Sequence, residues 1–495
     1  MDAIHLGNFY LKNSSPSDFA LIYHDQKITY KKLDENINQY AHYLTSLGIG
    51  KGDSVALSCY NTPEFIYSYL AITKIGAMVV PLNLMLTLDE LQYILMNAET
   101  KAIIIHPKIV EKLQLNPDSL KEGLGIEEII ILDDTVKQKI MQSAQTNLPQ
   151  LDPSSTSTLL YTSGTTGKPK GAMLSHRNLL ENAKSCEFAL EGTGSDVFLC
   201  VLPMFHTFGF TVCVLLPLYV GNTIVIHDSF HPKEVLESIQ KYKITVFAGI
   251  PAMYIVLSQA MKASPQPVHS LRAAVSGGAP LPLEIFKLFN EDYQIPLIEG
   301  YGLTEASPVV SFNPLSGVKK GGSVGLPLLH NEVKVVDPGG NEVATGEIGE
   351  ILVKGPNVMQ GYYKAEEETA STIVNGWLHT GDLGYIDHEG YLFIVDRKKE
   401  LIITRGLNVY PREIEEVLYA HPSILEAAVI GAPDPTKGEI VKAFVVLKPG
   451  EQLERKELSI YLQKHLANYK LPRQIEFVEQ LPKNAAGKIL KKQLK

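Results

Sequence analysis

Apolar and polar positions along this chain alternate between two spacings. Short apolar runs bounded by Gly, Pro and polar residues predict strands at 54–60, 77–82 and 102–106, while 63–75 and 87–97 carry apolar residues at helical spacing. Pro63 opens the first of these helices, where its fixed φ suits the first helical position. The polar stretch 145–157 reads as a linker. Beyond it come strands at 158–162, 223–226, 245–248, 271–275 and 296–298, and helices at 176–190, 232–242 and 283–289. Such alternation predicts an α/β fold with parallel sheets covered on both faces. The apolar run 211–220 contains Pro217 and is shorter than the ~18 residues of a membrane span, so it reads as core.

After Gly321 the pattern changes. Strands at 333–336, 349–353 and 391–395 are separated by Gly- and Pro-rich turns, which predicts a small β-rich subdomain. A mixed α+β pattern returns after Lys399, with helices at 411–420 and 454–467 and strands at 426–430 and 442–448.

Length and composition narrow this further. At ~150 residues per unit, 495 residues imply about three folding units, and 45% hydrophobic with 20% charged residues is ordinary for a globular protein. A net charge of -9 argues against nucleic acid as a partner, which needs a basic face. The four cysteines form no CxxC pair and no Cys/His zinc spacing, so free thiols in a reducing, cytoplasmic setting are expected. Neither a signal peptide, a spanning segment nor a peroxisomal ending is visible. On charge alone, the lysines from Lys483 to Lys495 read as a solvated helix end.

The strongest chemical signal is Tyr161-Thr-Ser-Gly-Thr-Thr-Gly-Lys-Pro-Lys-Gly171, which follows a predicted strand and leads towards a helix. Gly164 and Gly167 let backbone approach an anion closely. Thr162, Ser163, Thr165 and Thr166 offer hydroxyl donors, and Lys168 and Lys170 offer charge, the combination a triphosphate needs. A Walker A loop is excluded, because Thr162 stands where its first Gly would be and Pro169 follows Lys168.

With four further motifs in order, the chain resembles the adenylate-forming superfamily of acyl- and aryl-CoA synthetases, firefly-type luciferases and peptide synthetase adenylation domains. The motifs are Gly300-Tyr-Gly-Leu-Thr-Glu305, Gly376-Trp-Leu-His-Thr-Gly-Asp382, Asp396-Arg-Lys-Lys-Glu400 before Gly406, and Pro482-Lys-Asn-Ala-Ala-Gly-Lys488. Pro203-Met-Phe-His-Thr-Phe-Gly209 and Asn408-Val-Tyr-Pro-Arg-Glu-Ile-Glu415 look most like bacterial fatty acyl-CoA synthetases.

The resemblance implies a large N-terminal unit (1–397) of two parallel-type αβ subdomains plus the β-rich one, and a small mobile unit (399–495). Lys399 would sit at the hinge, near 398–399. Tyr301 would stack on adenine, with Gly277, Gly278, Ala279, Gly300, Gly302 and Ile394 around the nucleotide. Thr304 would meet the α-phosphate, Glu305 would hold Mg²⁺, and Asp382 and Arg397 would take the ribose. His206 would lie at the mouth of the acyl pocket, Lys488 would serve adenylation, and Gly406 would line the CoA tunnel. The implied reaction joins a medium- or long-chain fatty acid to AMP from ATP, then to coenzyme A.

Alternatives are an aryl, branched or dicarboxylic acid, delivery to a carrier protein, a luciferase-like oxidation, and a non-catalytic ATP-binding protein. Arg405 and Ile403 depart from relatives that have Gly and Lys there, which bears on the thiol step. A homodimer is left open by the sequence.

Overall fold

The strands assemble into four sheets in a computed structural model that describes residues 4–116, 121, 125–162, 168–263, 268–404, 407–434, 438–483 and 488–494. The first sheet has nine strands. Its parallel centre runs through Leu297–Gly302, Ala273–Ser276, Val246–Gly249, Val197–Cys200, Thr223–Ile226 and Phe19–Tyr23. Antiparallel strands close both edges. The second sheet has seven strands with a parallel centre formed by Thr156–Thr162, Met78–Pro81, Ser54–Ser58, Thr100–Ile105 and Glu128–Ile131. The central strands of both sheets are buried on both faces, which is why they read as unbroken apolar runs.

One continuous core joins these two sheets. Leu57 and Val79 of the seven-stranded sheet, Phe198 and Ile224 of the nine-stranded sheet, and Ala183, Cys186 and Val212 of the helices all belong to it. The run 211–220 is core, as its Pro217 suggested; it lies within helical turns from Thr207 to Val220 and ends at Gly221, whose φ of 92° suits a left-handed helix stop. Separate clusters cover the outer faces of the two sheets. All four cysteines are free and buried.

A third, antiparallel sheet pairs Glu332–Val336, Gly349–Lys354, Trp377–Ile386 and Leu392–Arg397 in the region predicted to be β-rich. The fourth sheet carries Ile402–Thr404, Gly438–Leu447 and Ile424–Asp434, with the helices Pro411–Tyr419 and Arg455–His465 on one face. The tail packs on its other face, where Ile489 and Leu494 meet Ala428, Phe444 and Leu481.

Two expectations need correction. The glycine-rich loop leads into a second strand, Lys170–Ser175, antiparallel to Thr156–Thr162, and the helix His176–Ala189 follows only then. The basic tail is not a solvated helix end. Lys483 pairs with Glu426, Lys491 lies 2.7 Å from Glu415 and 3.4 Å from Glu400, and the segment ends in a short 3-10 turn. Among the described residues, no helix is long and apolar enough to cross a membrane.

Candidate active site

The strand Leu297–Gly302 carries Glu299, Gly300, Tyr301 and Gly302 to the edge of a cleft of about 240 Å³. Both glycines answer to close approach. A Cβ would stand 2.2 Å from the Phe312 ring at Gly300 and 2.0 Å from the Pro308 carbonyl at Gly302. Bare backbone here lets the strand Val309–Phe312 lie directly beside Tyr301.

Tyr301 donates from Oη to Asp382 Oδ2 at 2.6 Å, and Arg397 Nε reaches Asp382 Oδ1 at 3.1 Å. Asp382 and Arg397 are cross-strand partners in the third sheet, so their meeting is built into its register. Asp382 is 3% exposed. A carboxylate with one partner on each oxygen keeps further lone pairs, which the vicinal hydroxyls of a sugar can use. Burial, then the Asp382 charge, pushes the Tyr301 hydroxyl well above its ordinary pKa, so it stays a donor.

Gly278 and Ala279 line the same cleft just after the strand Ala273–Ser276. Gly278 has φ +81°, a conformation that suits glycine. Gly277 lies against the Phe208 ring, 3.0 Å from where its Cβ would stand. Ile394 also faces the cleft.

Thr304 and Glu305 sit in a 3-10 turn, Thr304–Ala306, and Thr304 does not cap it. Its hydroxyl instead lies 3.3 Å from the Thr207 hydroxyl. Glu305 Oε1 accepts from Tyr362 Oη at 2.8 Å, and its carbonyl accepts from Met359 N at 2.8 Å. Tyr362 also lies under Lys170, whose Nζ is 5.5 Å from the ring centroid and 3.5 Å from Glu368. The far side of the glycine-rich loop therefore adjoins Glu305. Thr162 ends the incoming strand opposite Lys170, and Lys168 Nζ stands 5.0 Å over the Tyr93 ring. Ser163, Gly164, Thr165, Thr166 and Gly167 lie outside the described residues, as do Arg405 and Gly406.

Lys488 lines the same cleft. Burial, then the Arg397 charge, pushes its ammonium down to about 8, against the pull of Glu400 and Asp382. A second pocket of about 50 Å³ opens beside it, lined by Leu202, Pro203, His206, Phe208 and Ile250 among others. His206 Nδ1 accepts from Phe208 N at 3.3 Å and caps the helix Thr207–Phe210. Burial, then Lys488, lowers its pKa to about 4. The ring is thus neutral at pH 7, and with Nδ1 accepting, its proton sits on Nε2. Lys399 is exposed, and partial desolvation followed by the Arg397 charge lowers its pKa.

The predicted residues from four separate motifs therefore meet around one cleft. Sequence reasoning missed Glu299, Asp396, Glu400 and Arg412, which also line it. Burial raises Glu299 to about 7 and Asp396 to about 6, with Arg412 and Lys491 respectively opposing most strongly. A carboxylate inside the apolar run Leu297-Ile298-Glu299 was the available signal.

Known proteins resemble this chain over nearly its whole length. Residues 12–363 match the family model for the AMP-binding enzyme, and residues 413–488 match that for the AMP-binding enzyme C-terminal domain. The chain is 38% identical to a long-chain-fatty-acid–CoA ligase of Bacillus subtilis, over 97% of this chain and 91% of the relative. It is 34% identical to a feruloyl-CoA synthase of Amycolatopsis, over 96% and 95%. The crystal structure of ATP-bound MatB from Rhodopseudomonas palustris superposes with a TM-score of 0.92 at 32% identity, covering 99% of this chain and 98% of that one. The chain belongs to the AMP-binding enzyme family, within the adenylate-forming superfamily, and is an ATP-dependent, AMP-forming acid–CoA ligase.

Proposed function

We propose that the acid is a medium- or long-chain fatty acid. The observation that carries this is the wall beside Lys488, where Leu202, Pro203, Phe208 and Ile250 offer an apolar surface. The similarity to a long-chain ligase over nearly the whole chain supports the same reading. In the first half-reaction a carboxylate oxygen bonds to the α-phosphorus, and the α–β bridge breaks with its electrons leaving on pyrophosphate. Lys488 and Arg397 stand where negative charge gathers, and a fixed cation in a site shielded from water lowers such a barrier. His206 Nε2–H is a neutral donor for the acid's carboxylate. Tyr301, Asp382 and Arg397 hold the nucleoside, and the loop from Thr162 to Lys170 holds the phosphates.

Glu305 fits a magnesium ion, which takes one or two carboxylates and completes its shell with phosphate oxygens and water. Such an ion, when bound, supplies charge neutralisation at the phosphates.

In the second half-reaction the coenzyme A thiol gives up its proton to solvent, its sulfur bonds to the acyl carbon, and the bond from that carbon to the phosphate oxygen breaks with its electrons leaving on AMP. We assign it to a turn of a small unit, 399–495, against a large one, 1–397, about Lys398 and Lys399. That turn withdraws Lys488 and brings Gly406 to the thiol.

A second reading, an aryl or other compact acid, is favoured by the 50 Å³ size of the pocket and by the Phe208 ring against Gly277. Pockets that enclose larger ligands run to ~300 Å³ or more, so a long chain enters only if Phe208 or its neighbours move. Pyrophosphate release from Mg-ATP decides between them, over acids from acetate through palmitate to benzoate and ferulate, with and without CoA. Saturable release with C6–C18 acids, enhanced by CoA, is the expected outcome. Turnover confined to aromatic acids would replace the fatty-acid reading with the second.

The pH profile is a further expectation. Lys488 acts as a cation and loses its proton above about 8. In the free enzyme, kcat/KM for ATP should therefore fall ~10-fold per pH unit above that value. Lys488→Arg should remove this fall, because a guanidinium stays charged. A wild-type profile flat to pH 10 would show that this ammonium does not govern the step.

A further inference from the structure

Arg412 is the second residue of the helix Pro411–Tyr419, yet its strongest contacts lie outside the fourth sheet and its helices. Arg412 Nη1 donates to the Ile394 carbonyl at 2.7 Å, and its backbone N–H donates to Asp396 Oδ2 at 3.1 Å. Its Nη2 lies 3.9 Å from Glu299 Oε1. Ile394 and Asp396 sit on a strand of the third sheet, and Glu299 sits on the strand that ends in Tyr301 and Gly302. Within its own helix, only Glu416 approaches the guanidinium, at 3.8 Å from Nε. The Arg412 side chain is 11% exposed and that of Glu299 is 3% exposed.

The helix depends on these contacts at its start. Tyr410, at the N-cap position, supplies no side-chain cap, and the Asp396 carboxylate takes that part from another sheet. Asp396 is held in turn, because its Oδ1 accepts from Arg397 N at 2.7 Å. Glu299 Oε1 also accepts from Leu281 N at 3.1 Å, so its carboxylate is fixed before the guanidinium reaches it.

The same helix is tied to the tail that bears Lys488. Lys491, three residues further on, lies 2.7 Å from Glu415 of this helix. The tail and the helix pack on opposite faces of one sheet. Whatever fixes the helix against the third sheet therefore fixes Lys488 at the cleft.

We propose that Arg412 is a positioning residue for the first half-reaction: it pins its helix to Ile394, Asp396 and Glu299 and so holds Lys488 in the nucleotide cleft. This rests on the two-half-reaction reading given above. A turn of the small unit about Lys399 breaks all three contacts together and leaves two buried carboxylates short of a partner, a costly arrangement. Arg412 thereby weights the balance of settings towards adenylation. A site that is competent only in one setting gains apparent affinity in proportion to that setting's population. The guanidinium suits the task because one planar group reaches Ile394 O, Glu299 and Glu416 at once, whereas a lysine ammonium satisfies fewer.

The test separates the half-reactions in the full-length protein. Arg412→Ala should lower kcat/KM for ATP in pyrophosphate release ~10-fold. Acyl transfer to CoA from a chemically prepared acyl adenylate should be unchanged or faster. Arg412→Lys should restore part of the loss, and Glu299→Gln should move the first half-reaction in the same direction. An equal fall in both half-reactions, or no change in either, would overturn the proposal.

A second readout does not need activity. All four native cysteines are buried, so dyes can be attached at Lys262→Cys and Lys456→Cys, both on exposed positions. The parent pair should give one dominant separation, and Arg412→Ala should populate a second. An unchanged distribution would overturn the proposal. If no acid supports pyrophosphate release in the wild type, the catalytic reading fails, and the dye separation still decides the role of Arg412.

Discussion

Lys488→Ala should cut ATP-dependent pyrophosphate release by ~10²–10³-fold while sparing acyl transfer from a supplied acyl adenylate to CoA. The size follows from where the ammonium stands. It is partly buried beside Arg397, Glu400 and Asp382, where less water screens its field at the transferring group than in bulk. The fold should survive, because the tail is held independently by Lys483 on Glu426, by Lys491 on Glu415, and by Ile489 and Leu494 in the sheet. Stopped-flow pyrophosphate release without CoA, set beside thioester formation from acyl adenylate, reads both halves. Comparable losses in the two would place Lys488 in both steps and end its assignment to adenylation.

Asp382→Ala should have the second-largest effect, and on a different constant. The side chain accepts from Tyr301 and Arg397 and, in the proposed complex, from the ribose. A hydrogen bond to a charged group contributes about 1.5–3 kcal/mol, so losing the ribose contact alone weakens ATP binding roughly 10–150-fold. Arg397 would also lose its closest carboxylate, which adds only modestly to the loss because its side chain is 39% exposed. Calorimetric titration with ATP or AMP measures this directly. Asp382→Asn should keep part of the affinity, since its carbonyl oxygen still accepts. Wild-type affinity in the alanine variant would remove Asp382 from the nucleotide site.

The parts of this protein that were legible in its sequence share a physical cause. Parallel strands buried on both faces must be apolar throughout, so Ser54–Ser58 and Val246–Gly249 stand out as runs. The strand Trp377–Ile386 does not, because His379, Thr380, Gly381 and Asp382 interrupt it. Only its motif marked it. Tyr301, Asp382, Arg397 and Lys488 came from motifs whose spacing said nothing of their distances; the third sheet's register and the packed tail bring them together. The pairing of Glu299 with Arg412 was hidden for a related reason. Each reads locally as an ordinary charge, and only the docking of one sheet on another makes them neighbours. The tail misled because lysines were weighed without Ile489 and Leu494, whose packing against the sheet anchors them.

The four buried cysteines carry a consequence for selectivity. An acyl adenylate is a mixed anhydride, and any thiolate within reach competes for its acyl group. Burial raises the Cys59 and Cys186 thiols well above their ordinary range, and the Cys213 contact followed by burial does the same for Cys200. These three thiols are therefore protonated, and all four cysteines are walled off while the activated intermediate waits. Self-acylation at cysteine is thereby disfavoured, and the acyl group is kept for an incoming thiol.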